Sequence, residues 1–508
     1  MDCIITIELG TNAVRVFAFD LAGNRVAFAK GHYPTFHEKP DHSEQDPEQM
    51  FITMLYVLKN LLNDKVYPKK YMVSCICFSA SMHSLLAVDK DGVPLGNSIT
   101  WSDNRGKKEA ADLKVSPMGS QIYSATGTPI HPMSSLIKIA WMKNNQPEKF
   151  SRTSKFMPIK SYIIQQLSGA CVIDYSIASA TGLMNIRNLA WDTNALDFAG
   201  ITPERLPDLV PVFFSDIVLK KEYQKALRLS PSVKILVGSS DGCLATLGAG
   251  VWENGKATIT IEDSGAFRVI GNEIIDDPRQ QIFNYVLTDK YFVSGGPTSN
   301  GGVIFEWFTK QFGDFKNAFD IDYAMDTLIR EAEEVPVGSD GLLFLPYLHG
   351  ERAPIWNANA RGCYFGINIR HDRRHFIRAT IEGILYEIYS IGKTLEKHRT
   401  INGLSINGSF ASIPLCTQII ADIFNMPVST LSNGDSIGVG AFLLSATEMG
   451  MFSGLEEASG MVKMHHTFLP KITDHQIYSD YFKVFESLIS KIGDEFDAVS
   501  DLQQKYNN

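Results

Sequence analysis

Thr6-Ile7-Glu8-Leu9-Gly10-Thr11-Asn12-Ala13-Val14-Arg15-Val16-Phe17-Ala18-Phe19-Asp20 reads as strand, tight turn, strand: β-branched residues lead in, Gly10 marks the bend, and alternation resumes as far as Asp20. The opening of this stretch returns letter for letter. Ile5-Thr6-Ile7-Glu8 recurs as Ile259-Thr260-Ile261-Glu262, and in both places a short Gly-containing turn and then Ala-x-Arg-Val follow within a few residues. Such a repeat predicts an internally duplicated chain with one hairpin per domain. A turn of this kind offers backbone N–H groups and small hydroxyls to a phosphate, so two of them facing each other across a cleft would hold a nucleoside triphosphate. Two β-rich tetrapeptides also recur by chance, so the rest of the chain has to agree.

The 508 residues, 44% hydrophobic and 20% charged, suit a globular protein of two large domains. A formal net charge of −9 and the lack of any Lys/Arg run interleaved with aromatics argue against nucleic acid as a partner. The seven cysteines are odd in number and scattered through apolar surroundings, which predicts reduced core thiols rather than a disulfide framework. No run of about 18 apolar residues is present, so the chain is expected to be cytoplasmic, with no membrane partner.

Along the chain, Asp46-Pro47 starts an amphipathic helix whose apolar face carries Met50, Met54, Leu58 and Leu61. A strand is expected over 72–79, followed by Ser81-Met82-His83-Ser84. Val233 to Val237 reads as a buried strand, 238–242 as a loop, and 243–250 as a small-residue helix; this places a domain boundary near 244–250, with domains 1–245 and 246–508. Beyond it come a Gly-rich loop over 295–302, a long helix from about Arg373 to Lys397, and a small-residue loop at Asn407-Gly408-Ser409.

With these pieces placed, nearly the whole chain resembles the FGGY carbohydrate kinases of the actin-like ATPase superfamily, and within them it is most similar to the gluconate kinases. The resemblance rests on Gly10-Thr11 and Arg15, Glu44-Gln45-Asp46-Pro47, Ser81-Met82-His83-Ser84-Leu85 and Trp101-Ser102-Asp103-Asn104-Arg105. It continues through 126–133, 174–180, Ala190-Trp191-Asp192, Gly238 to Gly242, Gly350-Glu351-Arg352-Ala353-Pro354, Arg361-Gly362 and 418–422. It implies an α/β fold of two actin-like, ribonuclease-H-like domains, each a mixed sheet flanked by helices, with an interdomain cleft. It also implies ATP and Mg2+ as cofactors, a small-molecule sugar or sugar acid as substrate, and allows a homo-oligomer.

A sugar kinase must take the proton from a hydroxyl as it attacks the γ-phosphoryl group, so it needs a carboxylate within hydrogen-bond reach. Asp241, between a buried strand and a helix start, is the candidate general base and matches the family's catalytic aspartate; the competing reading is a helix-capping Asp. The resemblance further assigns Gly10, Thr11, Asn12 and Arg15 to the phosphates, and Glu8 with Asp241 to the metal. The second hairpin's Asp263 and Ser264 fall on the phosphates, and Gly301, Gly302, Glu306, Gly408 and Ser409 on the rest of the nucleotide. On the sugar side it assigns Met82, His83, Trp101, Asp103, Arg105 and His131; a substrate carboxylate would draw on His83, His131, Arg105 and Lys160 as donors.

Four places depart from the family pattern. Glu8 stands where Asp is usual, Asn12 where Ser or Thr is usual, Glu262-Asp263 where Gly-Thr is usual, and Gly408-Ser409 where Gly-Gly is usual. Two carboxylates at a phosphate turn repel a triphosphate unless a cation such as Arg268 or Mg2+ intervenes. Three functions therefore remain in view: a kinase for a sugar acid, gluconate to 6-phosphogluconate; a kinase for another polyol or ketose such as xylulose; and an FGGY-fold sugar-binding protein with weakened catalysis.

Overall fold

The computed structural model describes all residues except 40, 253–254, 313–320, 433–434 and 507–508, and the side chains of 321–324 and 504 lie outside the description as well. Its contacts divide the chain into two units. One comprises Met1–Trp252, Ile270–Ser294 and Asp435–Val462, the other Glu253–Val269, Gly295–Gly434 and Lys463–Asn508.

In the first unit β1 (Asp2–Leu9), β2 (Ala13–Asp20) and β3 (Arg25–His32) form an antiparallel meander. Helix α1 (Pro47–Asn60) follows, begun by Asp46, whose carboxylate accepts the N–H groups of Glu48 and Gln49. Next come β4 (Met72–Ala80), α2 (Ser135–Asn145), α3 (Ile159–Ser168), β5 (Lys234–Ser240) and α4 (Asp241–Leu247). The sheet order is β5-β4-β1-β2-β3, with β4 parallel to β1 and β5 parallel to β4.

Because strand side chains alternate, the odd residues of β1 (Cys3, Ile5, Ile7, Leu9) bury against Met50, Met54, Val57 and Leu58 of α1. The even Ile4 joins Phe17, Phe19, Cys75 and Cys77 under Cys243, Leu244 and Leu247 of α4 and Ala441 to Leu444 of the helix Ser436–Glu448. The two helices on that face approach closely at glycines: a Cβ on Gly248 would lie 1.9 Å from the Ser436 carbonyl oxygen, and one on Gly440 2.0 Å from that of Leu244.

The second unit repeats this plan. It holds β6 (Lys256–Ile261), β7 (Gly265–Gly271), β8 (Phe292–Thr298), α5 (Gly302–Phe312), α6 (Arg373–Glu396), β9 (Gly403–Gly408), β10 (Val428–Leu431) and β11 (Met464–Phe468). Its strands lie in the order β8-β7-β6-β9-β10-β11; β6 pairs antiparallel with β7 and parallel with β9, and β10 lies parallel to β9. Each repeated tetrapeptide thus begins a hairpin whose first strand has a parallel neighbour on its other side.

Two expected loops are regular structure instead. Gly295-Gly296-Pro297 lies within β8, where a Cβ on Gly295 would sit 2.1 Å from the Phe267 carbonyl oxygen, so these glycines serve close strand packing. Between β5 and α4 no loop intervenes. Gly238 takes φ +70° at a register shift, in a space where a Cβ would meet the Phe78 carbonyl at 1.8 Å, and α4 starts directly after Ser240. All seven cysteines are free, five of them buried.

Glu387 of α6 is fully buried; it accepts the Tyr347 hydroxyl at 2.7 Å, while the nearby Glu351 accepts the Thr298 hydroxyl, the Asn300 amide and the N–H groups of Ser299 and Arg352. Burial raises the Glu351 carboxyl and its four donors oppose that rise; burial, and then the neighbouring Glu351, hold the Glu387 carboxyl well above the carboxylate range. A folded-state value above the unfolded one means that its stabilising share is complete below the unfolded value and is lost as pH rises. Glu387→Gln, neutral and isosteric, should therefore melt higher than the parent by a margin that widens from pH 5 to pH 8, as thermal scans at both pH values will read.

Candidate active site

The first turn is clamped from three directions. The Tyr33 hydroxyl donates to the Gly10 carbonyl, the Gln45 side-chain amide to the Thr11 carbonyl, and the Trp101 indole N–H to the Thr11 hydroxyl at 2.9 Å. Trp101, expected to face sugar, is thereby tied to the turn between β1 and β2. The contacts of Tyr33 and Gln45 with this turn were not legible in the sequence, because each is made to a backbone carbonyl that no sequence pattern marks.

Glu8 pairs across the hairpin with Arg15, Nη2 to Oε1 at 2.6 Å. Its even position in β1 turns it to the sheet face on which α4 packs, the face of Asp241. Burial pushes the Glu8 carboxyl up to about 7; Arg15 pulls the other way, and the charges of Asp241 and Asp435 add to the rise. Asp241 is the first residue of α4. The cap is Ser240, whose hydroxyl accepts the Cys243 N–H at 3.3 Å, while Asp241 Oδ1 accepts the N–H of Gly242 at 2.7 Å. The capping role that competed for Asp241 thus belongs to its neighbour.

On the expected sugar side, Asp103 is fully buried and grips Arg105 through both carboxylate oxygens, at 2.8 and 2.7 Å, while also accepting the Ser43 N–H. Arg105 extends to Glu44 at 2.6 Å and lies over the Trp141 ring. Lys160 is bound to Asp174 at 2.7 Å and to the Ser239 carbonyl at 2.9 Å. Two of the four cationic donors expected for a substrate carboxylate are thus neutralised internally.

Buried His83 takes φ +66°, and its Nε2 lies 3.2 Å from the Tyr285 hydroxyl. Half-buried Met82 precedes it and packs against both cores. His131 is buried, with Nδ1 accepting the Met133 N–H at 3.2 Å. Sequence reasoning missed Lys138, a fully buried lysine of α2 whose ammonium donates to the His83 carbonyl. Burial pulls that ammonium down to about 7; Asp103 opposes the shift and Arg105 adds to it. Its signal was a lone lysine in the apolar helix pattern of 135–142.

In the second unit the turn after β6 is built against the start of α5. Glu262 N–H bonds the Ser264 carbonyl, and the carbonyls of Glu262 and Asp263 accept the N–H groups of Gly302 and Val303 at 2.7 and 3.1 Å. The Glu262 and Asp263 side chains are exposed and carried at a helix N-terminus, where the helix dipole favours negative charge. Gly301 and Gly302 allow this contact, since a Cβ would lie 2.5 Å from the Ser264 carbonyl carbon in one case and 2.7 Å from the Glu262 oxygen in the other. Gly408, at φ +90°, would bring a Cβ to 2.2 Å from the Ile261 carbonyl oxygen, and the Ser409 hydroxyl donates to that same oxygen at 3.2 Å. The glycines and Ser409 therefore gather at the hairpin. Glu306, one turn into α5, pairs with Lys310, and Arg268 reaches the Thr260 hydroxyl at 3.2 Å. Among the described residues no cluster of three or more His, Cys, Asp or Glu could hold a metal ion, and no helix is long and apolar enough to cross a membrane.

The sheet is thus built twice around a hairpin, and a carboxylate opens the helix after the last parallel strand of the first unit. The chain belongs to the FGGY family of carbohydrate kinases: the family's N-terminal domain matches residues 3–248 and its C-terminal domain residues 259–449. It is 35% identical to a gluconokinase of Bacillus subtilis over 507 residues, 99% of this chain and 98% of that one. It is 29% identical to a xylulose kinase of Staphylococcus epidermidis, with 96% of each covered. Among solved structures it is similar to a ligand-bound xylulose kinase of Lactobacillus acidophilus (TM-score 0.92, 31% identity, 98% and 100% covered). A gluconate kinase from the same organism matches with TM-score 0.91 and 32% identity, with 98% and 99% covered.

The Glu8 carboxyl should titrate near pH 7, and Asp241→Asn should bring that midpoint down, because the Asp241 charge is one of the causes of the rise. Carbon-detected NMR of glutamate-labelled protein, assigned with Glu8→Gln, reads both; a midpoint in the ordinary carboxylate range contradicts this account of Glu8.

Proposed function

We propose that this carbohydrate kinase is an ATP-dependent gluconate kinase that forms 6-phosphogluconate. The observation that carries the reaction is Asp241 at the first position of α4, relieved of capping by Ser240 and set on the same sheet face as Glu8 and Arg15. Asp241 takes the proton of the 6-hydroxyl as that oxygen bonds to the γ-phosphorus; the bond from phosphorus to the β,γ-bridging oxygen breaks and ADP leaves. Gly10, Thr11, Asn12 and Arg15 hold phosphate oxygens. Asp263, Ser264, Gly301, Gly302, Glu306, Gly408 and Ser409 are the further residues assigned to the nucleotide.

Mg2+ fits the donors available, since it takes one or two carboxylates and completes its shell with water and phosphate, and Glu8 with Asp241 supplies two carboxylates whose mutual repulsion a cation relieves. When bound it supplies positive charge to the phosphate oxygens. For the sugar, His83 and His131 read the carboxylate and Trp101 and Met82 offer apolar surface, while Asp103 and Arg105 form a wall held rigid by their own pairing. The likeness to gluconokinases over the full chain supports the acid substrate.

A ketose such as xylulose is the second reading. It is favoured by the internal neutralisation of Arg105 and Lys160, which leaves less positive charge for a substrate carboxylate, and by the likeness to xylulose kinases.

Asp241→Asn should fold, bind sugar and lose about 10²–10⁴ of kcat. Parental turnover in that variant removes Asp241 as the base. In the parent, kcat/KM should rank gluconate above xylulose and glycerol; a neutral sugar at the head of that ranking replaces the first reading by the second.

A further inference from the structure

Two lysines, Lys138 and Lys160, are fully buried in the first unit, and their surroundings differ. Lys160 meets the carboxylate of Asp174. Lys138 makes no ion pair among the described residues; its hydrogen bond goes to the main-chain carbonyl of His83, at 2.5 Å. Burying an ammonium group carries a large desolvation penalty, which the carbonyl and the more distant charge of Asp103 offset only in part. The burial therefore calls for a reason at the residue that Lys138 holds.

That residue is strained. His83 has φ +66°, a left-handed conformation that disfavours a side chain bearing Cβ and persists where the surroundings over-determine it. Here the surroundings act at both ends of the residue. Lys138 takes the carbonyl, and the Tyr285 hydroxyl meets ring Nε2 at 3.2 Å, with the two rings edge to face at 6.0 Å. Tyr285 is fixed in turn by stacking on Phe283 at 4.1 Å. On the far side of the residue, Ser84 Oγ accepts the N–H of Ile159 at the start of α3, so the chain leaving His83 is anchored as well. Freed from Lys138, residue 83 would relax toward negative φ and swing its imidazole away from Tyr285.

We propose that Lys138 is a positioning residue for sugar recognition: its buried ammonium holds the His83 peptide in the left-handed conformation and so fixes the direction in which the imidazole meets the sugar. The proposal rests on His83 as a sugar contact, as set out under the proposed function. It places Lys138 upstream of sugar binding and outside the phosphoryl-transfer step.

Steady-state kinetics of the full-length chain test it, with gluconate, xylulose and ATP varied in turn, on Lys138→Met, Lys138→Gln, His83→Ala and the Lys138→Met/His83→Ala double variant. Lys138→Met keeps the volume but neither donates nor carries charge, and it should raise the sugar KM about tenfold or more while kcat stays within about threefold and the ATP KM is unchanged. Lys138→Gln still donates and should return the sugar KM to within about twofold of the parent. In the His83→Ala background the Met substitution should add less than about twofold, because its effect passes through His83.

A parental sugar KM in Lys138→Met overturns the proposal. So does an effect undiminished in His83→Ala, or a rise shared equally by the ATP KM. If Lys138→Met does not fold, Lys138→Gln decides alone: a near-parental sugar KM supports the positioning bond, and a tenfold rise at an unchanged melting temperature overturns it. The coupling is read with whichever sugar is turned over better, so a preference for xylulose overturns the substrate assignment and leaves the test of Lys138 intact.

Discussion

The alternation of side chains along β1 is the constraint on which the first unit depends. Cys3, Ile5, Ile7 and Leu9 bury against α1, and the opposite parity carries Ile4 into the second core and Glu8 to the end of that same face. A shift of one residue would send Glu8 into the apolar layer over α1 and turn Leu9 toward Asp241. Burial on both faces forbids that slip. The position of a carboxylate opposite Arg15 is thus settled by the packing of four apolar neighbours, so the fold and the Glu8–Arg15 pair share one register.

Charge in this unit is handled by local pairing rather than by an open cationic surface. Arg105 is engaged by Asp103 and Glu44, Lys160 by Asp174, and Arg15 by Glu8. Such pairs are poor sources of net stability, because desolvation offsets much of their attraction, yet breaking one leaves a buried charge uncompensated. Their effect is geometric: they fix which hydrogen-bonding groups face outward and which are already satisfied. Under the proposed function, the internal pairing of Arg105 and Lys160 shifts recognition of a substrate toward His83 and the residues that hold it.

Much of this was legible in the sequence. The repeated Ile-Thr-Ile-Glu, the Asp46-Pro47 helix start, the strand after residue 72 and the long helix from Arg373 follow from period, caps and turn chemistry, which are local properties. The glycines misled where their reason was not local. Gly295 and Gly238 looked like loop residues, but their missing Cβ makes room for the carbonyls of Phe267 and Phe78 on neighbouring strands. The candidate site residues divide in the same way. Asp241, Glu8, His83 and Gln45 stand in recognisable strings, whereas Tyr33 and Lys138 act on backbone carbonyls brought near by folding, and a contact to a carbonyl leaves no trace in the residue that owns it.

The two sheets share a strand order while their turns do not. Glu8 lies within its strand, paired and buried, but its twin Glu262 falls in the bend itself and is exposed, because the second hairpin reverses sooner. Strand order is enforced by cores that lie away from the bends, so the length and charge of each bend can drift without repacking the layers beneath. Duplication in this chain has therefore produced two copies of a scaffold with separately evolvable tips. One tip carries Glu262 and Asp263 while the other carries Gly10 and Thr11, and neither difference reaches the layers beneath.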